Sequence, residues 1–307
     1  MQLSIIIVNY NTKSLLQDCI TSIYTHTKDI SFEIIVSDNG STDGSLEMLK
    51  STFPEVRIIE NNKNLGFGTA NNKALALAKG KYIFYLNSDT VLLNNACKFF
   101  IDYWETSCDK QNIGALGSNL LDIENCVIHS FGDFPGFLLS LKQLFVMFFT
   151  NLILSFFYIF HISAERFRSS PKRDYFIGDV DYITGADLFV LNDENAYFDE
   201  DFFLYFEETD LQKRLQNQNK KRLIIEGPKI QHLCGGSVTE KFSIKRKASY
   251  SRIMFEISRI KYLKKHCANK NTKKVPLFLC KLMVTIIWLN PLLFKNTKKF
   301  IKQLWEI

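Results

Sequence analysis

Two short polar stretches in the 307-residue chain have the residue types and settings that chemistry needs. The first is Asn87-Ser88-Asp89, which closes the apolar run Tyr82-Ile83-Phe84-Tyr85-Leu86. A run of that kind with no charge inside it reads as a strand buried on both faces. In open α/β sheets ligands bind just beyond the carboxyl ends of the strands, so Asp89 is placed to hold a metal ion or a phosphate-bearing ligand; an Asp that merely turns the chain is the competing reading. The second stretch is Glu207-Glu208-Thr209-Asp210, which opens a helix directly after Phe202-Phe203-Leu204-Tyr205-Phe206. Acids in a first helical turn complement the helix macrodipole. Beside aromatic rings, however, a carboxylate gains proton affinity, as a general base requires, and the rings offer faces on which a sugar can stack.

The elements that must position these groups follow from the hydrophobic pattern. Leu3 to Val8 is a first buried strand, broken by Asn9-Tyr10-Asn11-Thr12, and Leu15, Leu16, Cys19, Ile20, Ile23 and Tyr24 then recur along one helical face. Phe32 to Val36 is a second strand that ends in the loop Ser37-Asp38-Asn39-Gly40-Ser41-Thr42-Asp43-Gly44, and Val56 to Ile59 is a third. The loop Asn61 to Gly68 leads into a helix expected over Thr69 to Lys79, with Gly80 as its terminating residue. This alternation predicts a parallel sheet wound with helices, with Asn9, Asn11, Asp38, Asn87 and Asp89 along one sheet edge. Further strands are expected over Ile113 to Ser118, Cys126 to Gly132, Val180 to Ile183 and Leu188 to Leu191. No G-x-G-x-x-G follows the first strand and no G-x-x-x-x-G-K-[ST] occurs, which argues against a dinucleotide-dependent oxidoreductase and a P-loop ATPase.

Composition shifts sharply in two places. Phe137 to Phe160 is rich in Phe, Leu, Ile and Val but contains Lys142-Gln143 and Thr150-Asn151. It reads as a helical hairpin lying in a membrane interface, with a true span and a buried core pair as competing readings. From Lys241 onward the chain carries 17 Lys and Arg against two acids, so the overall charge of +6 conceals a basic tail on an acidic remainder. A basic helix from Ser243 to His266 and an apolar stretch from Val275 to Phe294 complete that tail, which is suited to an anionic lipid surface. It has no interleaved RNA-binding motif, so no nucleic-acid partner is expected. Seven scattered cysteines without a C-x-x-C pair read as reduced thiols, and the N-terminus lacks a signal-peptide pattern, which together predict a cytoplasmic location.

Five segments occur in a set order: Ser4 to Asn11, Val36 to Gly44, Asn62 to Gly68, Leu86-Asn87-Ser88-Asp89, and Phe203 to Leu211. Together they resemble a family 2 glycosyltransferase of the GT-A fold, closest to its rhamnosyltransferase-like branch, over roughly residues 1–240. The resemblance implies an α/β, nucleotide-sugar-binding mixed sheet flanked by helices. It also implies a domain at 1–240 with an apolar, membrane-interfacial insert at 134–165, followed by basic amphipathic helices at 241–307. It assigns the nucleotide to Asn9, Asn11, Asp38, Asn64, Gly66, Asn87 and Ser88, with Asp38 accepting from the base edge. It puts Mg2+ or Mn2+ on Asp89, with Asn87 in place of the first acid of the family's Asp-x-Asp motif, and on His232. Glu208 stands where the family has its catalytic base, with adjacent Glu207 an alternative; Phe203 and Tyr205 would form the acceptor platform and Gly185-Ala186 the floor beneath the donor sugar.

The expected activity is an inverting transfer of a sugar from a nucleotide-diphosphate donor to a lipid-linked saccharide acceptor, in surface polysaccharide (O-antigen or capsule) synthesis at the cytoplasmic face of a bacterial inner membrane. The branch resemblance implies rhamnose from dTDP-rhamnose; a UDP-sugar donor, or a catalytically impaired nucleotide-sugar-binding protein, is the alternative. A nucleotidylyltransferase would be expected to carry a Gly-rich, Arg-containing loop after its first strand, and Val8-Asn9-Tyr10-Asn11 is not one.

Overall fold

A computed structural model describes residues 1–159, 173–233, 250–267, 274–290 and 297–307. The chain divides into two compact units. The first comprises Met1–Phe134, Lys172–Phe203 and Glu207–Thr239, and the second Pro135–Pro171, Leu204–Phe206 and Glu240–Ile307.

In the first unit the described elements are β1 (Leu3–Asn9), α1 (Lys13–His26), β2 (Phe32–Asp38), α2 (Ser45–Thr52), β3 (Arg57–Glu60), α3 (Phe67–Leu75), β4 (Tyr82–Asn87), β5 (Thr90–Leu92), α4 (Ala96–Thr106), β6 (Ile113–Gly117), β7 (Leu120–Leu121) and β8 (Phe131–Gly132). After the second unit's α5 (Phe137–Ile159), the first unit resumes with β9 (Gly178–Asp179), β10 (Tyr182–Ile183), β11 (Asp187–Leu191), α6 (Glu207–Asn217), β12 (Lys221–Ile224) and β13 (Ile230–His232).

Eight strands form a mixed sheet in the order β3-β2-β1-β4-β11-β6-β12-β9. β3, β2, β1 and β4 are parallel, whereas β11 runs antiparallel to both neighbours. Because the chain winds outward through β2 and β3 and returns on the other side of β1 as β4, the strand order reverses between β1 and β4. That is where open α/β sheets leave a crevice for a ligand. Two smaller sheets, β5-β13-β7 and β10-β8, lie beside the large one.

β4 is held by aromatic packing on both faces, as its uninterrupted apolar run requires. On one face Phe84 meets Phe100 at 5.4 Å and Phe189 at 6.0 Å between ring centres, and Phe100 stacks on Phe189 at 5.2 Å. On the other, Tyr85 packs on Phe198 at 4.7 Å and donates its hydroxyl to the Ala196 carbonyl at 2.8 Å. Each fully buried ring of this kind contributes roughly 2–3 kcal/mol. The end of β4, where Asn87 sits, is therefore the end of a stiff rod.

Several local expectations are corrected. The helix expected over Thr69 to Lys79 is Phe67–Leu75 and ends before Gly80. Gly80 serves a close approach instead, since a Cβ there would lie 2.3 Å from the Ser4 amide nitrogen on β1. Of the strand expected over Cys126 to Gly132, only Phe131–Gly132 pairs as a strand. The segment expected to form a hairpin is one continuous helix over Phe137–Ile159. Thr150 and Asn151 do not break it: the Thr150 hydroxyl donates back to the Val146 carbonyl at 2.9 Å, and the Ser155 hydroxyl donates to the Asn151 backbone carbonyl at 2.8 Å, so both hydroxyls are satisfied within the helix. The remainder of the insert, residues 160–165, and the loop around Gly235-Gly236 lie outside the described residues.

The second unit contains α5, α7 (Tyr250–Tyr262), α8 (Lys274–Trp288) and α9 (Lys298–Glu306). α5 is inverted relative to a helix of a soluble core. Its buried positions include Ser140, Asn151 and Ser155, with Asn290 donating to the Ser155 hydroxyl at 2.8 Å. Its exposed positions include Leu138, Phe145, Val146, Phe149, Leu152 and Ile153. Val275, Phe278, Leu279 and Ile286 of α8 are likewise exposed. Among the described residues no helix is long and apolar enough to cross a membrane.

Candidate functional site

The carboxyl ends of β1 and β2 are joined by a buried polar network. Asn9 and Asp38 are register partners at the two strand ends, and both are fully buried. The Asn9 amide donates to Asp38 Oδ2 at 2.7 Å and to the Ser41 hydroxyl at 2.9 Å. Asp38 Oδ1 accepts from the backbone N–H of Gly40 at 3.0 Å and of Ser41 at 2.8 Å. Asn11 adopts a left-handed backbone with φ 55° and accepts from the Thr42 N–H at 2.8 Å. The two loops are thus cross-braced, and Asp38 is the post around which the second one turns. Its Oδ2 accepts one bond and keeps a second lone pair, within a side chain that has no exposed surface.

Thr12 continues the network. Its hydroxyl donates to Asn9 Oδ1 at 2.6 Å and lies 2.9 Å from the Ser88 hydroxyl, which ties the β1 loop to the end of β4. Across β2, the Asn39 amide donates to the Gly66 carbonyl at 3.0 Å, and Asn64 Oδ1 accepts from the Gly66 N–H at 2.9 Å. Gly66 has φ +86°, and a Cβ there would stand 2.2 Å from the Phe203 carbonyl oxygen. The next residue, Phe67, donates its N–H to that same oxygen at 2.9 Å. Only glycine permits this contact, which fastens the loop after β3 to the segment leading toward α6.

At the end of β4, Asp89 and His232 come together because β5 and β13 pair antiparallel with Thr90 opposite His232. His232 Nε2 lies 3.2 Å from Asp89 Oδ1 and 3.5 Å from the Asn87 amide nitrogen. Among the described residues no group of three or more His, Cys, Asp or Glu side chains converges to hold an ion. The donor set is therefore a carboxylate, an imidazole and an adjacent amide. Only the carboxylate is a hard oxygen donor, so the residues present fit a divalent cation with most of its coordination left to other ligands.

Glu207 and Glu208 open α6 and point different ways, since neighbouring residues on a helix lie about 100° apart. Glu207 is 3% exposed, and its Cβ is 3.6 Å from where Gly68 would carry one. Glu208 is half-buried, accepts from the Thr209 hydroxyl at 3.0 Å, and faces Gly185, whose Cβ would sit 3.7 Å from its own and 3.5 Å from the Phe67 ring. Gly185, Phe67 and Glu208 therefore share one small space. Ala186 holds the end of β4 by accepting from the Asn87 N–H at 3.1 Å. Asp210 is buried against Arg214 at 3.2 Å and braces the helix. Phe203 lies in the first unit, while Tyr205 belongs to the second.

Asp187 is a further buried acid that none of the sequence motifs marks. It opens β11 opposite Leu86 and is fully buried. Its Oδ2 accepts from the Ser118 N–H and hydroxyl, both at 2.7 Å, while Oδ1 has no hydrogen-bond partner among the described residues. Burial pushes its carboxyl up to about 7 against the pull of the Ser118 bonds and the charge of His232. An acid at the mouth of an otherwise apolar strand, directly after Gly185-Ala186, was the signal available for it.

A sequence profile described as Glycosyl transferase family 2 matches residues 4–169, more than half of the chain. The chain is 37% identical over 101 residues to a poly(ribitol-phosphate) beta-glucosyltransferase of Bacillus spizizenii, covering 31% of this chain and 16% of that one. It is 36% identical over 102 residues to a chondroitin synthase of Escherichia coli, covering 32% and 15% respectively. The matched segment thus spans less than a fifth of either relative. Among solved structures, the mannosyltransferase PcManGT from Pyrobaculum calidifontis in complex with GDP-Man and Mn2+ superposes with a TM-score of 0.54 at 13% identity, over 99% of this chain and 73% of that one. S. aureus TarS 1–349 in complex with UDP-GlcNAc superposes with a TM-score of 0.50 at 13% identity, over 92% and 72%. At such identities the likeness establishes the fold, a mixed α/β sheet of the GT-A type.

Proposed function

The chain belongs to glycosyl transferase family 2, and from that premise we propose that it transfers one sugar, with inversion, from a nucleoside-diphosphate donor to a hydroxyl of a lipid-linked saccharide during surface polysaccharide synthesis. The observation that carries this reading is the setting of Glu208. It is the half-buried acid at the head of α6, facing Gly185 and Phe67, whereas Glu207 is turned inward. Glu208 takes the proton from the acceptor hydroxyl as that oxygen forms its bond to the anomeric carbon. The bond to the diphosphate oxygen breaks, and the nucleoside diphosphate leaves with the electron pair. The network of Asn9, Asn11 and Asp38, with Asn64 and Gly66 beside it, shapes the pocket for base and ribose. Asp89 and His232, with Asn87 alongside, would hold Mg2+ or Mn2+, whose charge offsets that of the departing diphosphate.

The donor we place first is dTDP-rhamnose, on the motif resemblance. A UDP-sugar is the second reading, favoured by the likeness to a beta-glucosyltransferase and to a protein solved with UDP-GlcNAc. The outward apolar faces of α5 and α8 support association with an anionic membrane surface, at the cytoplasmic face of a bacterial inner membrane. A donor screen with purified protein in detergent, reading nucleoside-diphosphate release with and without Mn2+, tests the activity. Glu208→Gln should lower transfer at least about a hundredfold and leave nucleoside-diphosphate binding intact. Transfer at the parent rate would sink the assignment.

A further inference from the structure

We propose that a cavity between α5 and α7 in the second unit binds the phosphate or diphosphate group that joins the acceptor's saccharide to its lipid. The cavity is about 630 Å3, the size of a small-ligand site, and its wall includes Gln143, Met147, Tyr205, Arg252, Phe255 and Arg259. Arg252 and Arg259 are seven residues apart on α7, so both project from one helical face about 10.5 Å apart along the axis. Arginine is the side chain suited to phosphate, because its rigid fork of donors matches two oxygens at once.

The state of Arg259 is the specific reason to expect an anion here. It is only 7% exposed, and its guanidinium lies 5.1 Å from the centre of the Phe255 ring, which fixes its plane. Its Nη1 has Glu256 Oε2 at 3.4 Å, yet neither atom has a hydrogen-bond partner among the described residues. A buried guanidinium donor without an acceptor is costly, and phosphate oxygens would supply acceptors. Burial pushes the Glu256 carboxyl up against the opposing charges of Arg259 and Arg252, so the cavity disfavours its own carboxylate. Met147 and Phe255 add an apolar surface, and the exposed face of the same α5 helix suits the lipid chain.

The chain runs from the wall of the cavity directly into the head of α6. Tyr205 and Phe206 have φ of 68° and 71°, two successive non-glycine residues in the left-handed region, immediately before Glu207 and Glu208. Backbone in that region persists only where its surroundings hold it. Here α7 does so: the Ser258 hydroxyl donates to the Leu204 carbonyl at 2.8 Å, Tyr205 and Phe206 pack on Phe255, and Phe206 packs on Tyr262. The helix that presents the two arginines therefore also holds the strained residues that lead into the base.

The inference rests on the glycosyl-transfer reading for the identity of the ligand, but anion binding is measurable without transfer. Inorganic pyrophosphate is titrated calorimetrically into the 307-residue chain in detergent with EDTA present. Saturable binding is expected, weakened about tenfold or more by Arg252→Gln/Arg259→Gln and unchanged by Asp89→Asn. Arg252→Lys/Arg259→Lys, which keeps charge but not the fork, should bind a few-fold more weakly than the parent and serves if the glutamine pair does not fold. No binding by the parent, equal binding by both pairs, or a loss shared by Asp89→Asn overturns the proposal. Sedimentation with phosphatidylglycerol vesicles separates the lipid headgroup as a source: lost vesicle binding with unchanged pyrophosphate affinity would assign the arginines to the headgroup and overturn the proposal as well. Pyrophosphate binding by a protein that turns over no donor would defeat the transfer reading and leave the anion site standing.

Discussion

Asp38→Asn separates two tasks that the Asp38 carboxylate could perform. In the protein it accepts three hydrogen bonds, from the Asn9 amide at 2.7 Å and from the Gly40 and Ser41 N–H groups at 3.0 and 2.8 Å, at a position with no solvent exposure. The carbonyl oxygen of the substituted amide can keep the two backbone bonds. Its NH2 then faces the NH2 of Asn9, donor against donor. Losing one bond to a charged acceptor while leaving a buried donor unmatched costs about 2–4 kcal/mol. For a domain of this size that is a fall of roughly 5–10 °C in melting temperature, measured by circular dichroism. The swap Asn9→Asp/Asp38→Asn restores an acceptor opposite a donor and should recover more than half of the loss, a coupling of at least about 1 kcal/mol. Nucleoside-diphosphate affinity then distinguishes the roles: if Asp38 also meets the base, the swap recovers stability but not affinity. Melting of Asp38→Asn within about 1 °C of the parent, or a swap no more stable than the sum of its single changes, would refute the network argument.

Three further outcomes follow from the same geometry. Gly66→Ala would thrust a Cβ to within 2.2 Å of the Phe203 carbonyl oxygen at φ +86°, so it should destabilise by about 2–4 kcal/mol and depress transfer, by loosening the segment before Glu208, more than it depresses nucleotide binding; equal losses in the two assays would contradict this. Asp187, with its carboxyl raised by burial from 3.8 to about 7, keeps its proton in the folded protein where the unfolded chain has lost it, so its contribution to stability falls as pH rises from about 4 to 7, by a total on the order of 4 kcal/mol. Asp187→Asn should lack that decline and melt higher than the parent at pH 8 in EDTA; parallel pH profiles for the two proteins would show that the residue does not titrate in this window. Leu152→Glu/Ile153→Glu, at exposed positions of α5, should abolish sedimentation with phosphatidylglycerol vesicles while leaving the melting temperature nearly unchanged, and retained vesicle binding would remove this face from the membrane reading.

The strands were legible where both faces are buried, because a continuous apolar run such as Tyr82 to Leu86 has few other uses. The insertion of β11 between β4 and β6 was not, since its partners lie about 100 and 70 residues away and no local pattern sets an antiparallel register. Gly80 misled for a related reason. As a helix terminator it fits local rules, whereas its actual constraint is the backbone of β1 across the sheet edge. The site divides along the same line. Asn9, Asp38 and Asn87 could be placed at strand ends from the pattern, but the braces between their loops, Thr12 to Ser88, Asn39 to Gly66 and Ser41 to Asn9, act over long sequence separations and are ordinary loop residues when read in order. Glu207 and Glu208 could not be told apart in the sequence. The fold distinguishes them by burial, because Glu207 is 3% exposed whereas Glu208 is half-buried and faces Gly185.

Asn87 is where local and long-range information meet. In the sequence it stands for a missing charge, since an amide replaces the first acid of the pattern that the chain resembles. In the fold, the strand beside it begins with a carboxylate: Asp187 pairs with Leu86, next to Asn87, and its orphaned Oδ1 is close enough to His232 for the imidazole's charge to pull its proton affinity down. Positive charge arriving at Asp89 and His232 would drive Asp187 further toward its ionised form, and the ionised form would in turn favour that charge. The negative charge that Asn87 does not bring to β4 would then come from β11, through space. With its carboxyl raised by burial, Asp187 lowers the stability of the fold as pH rises toward neutrality.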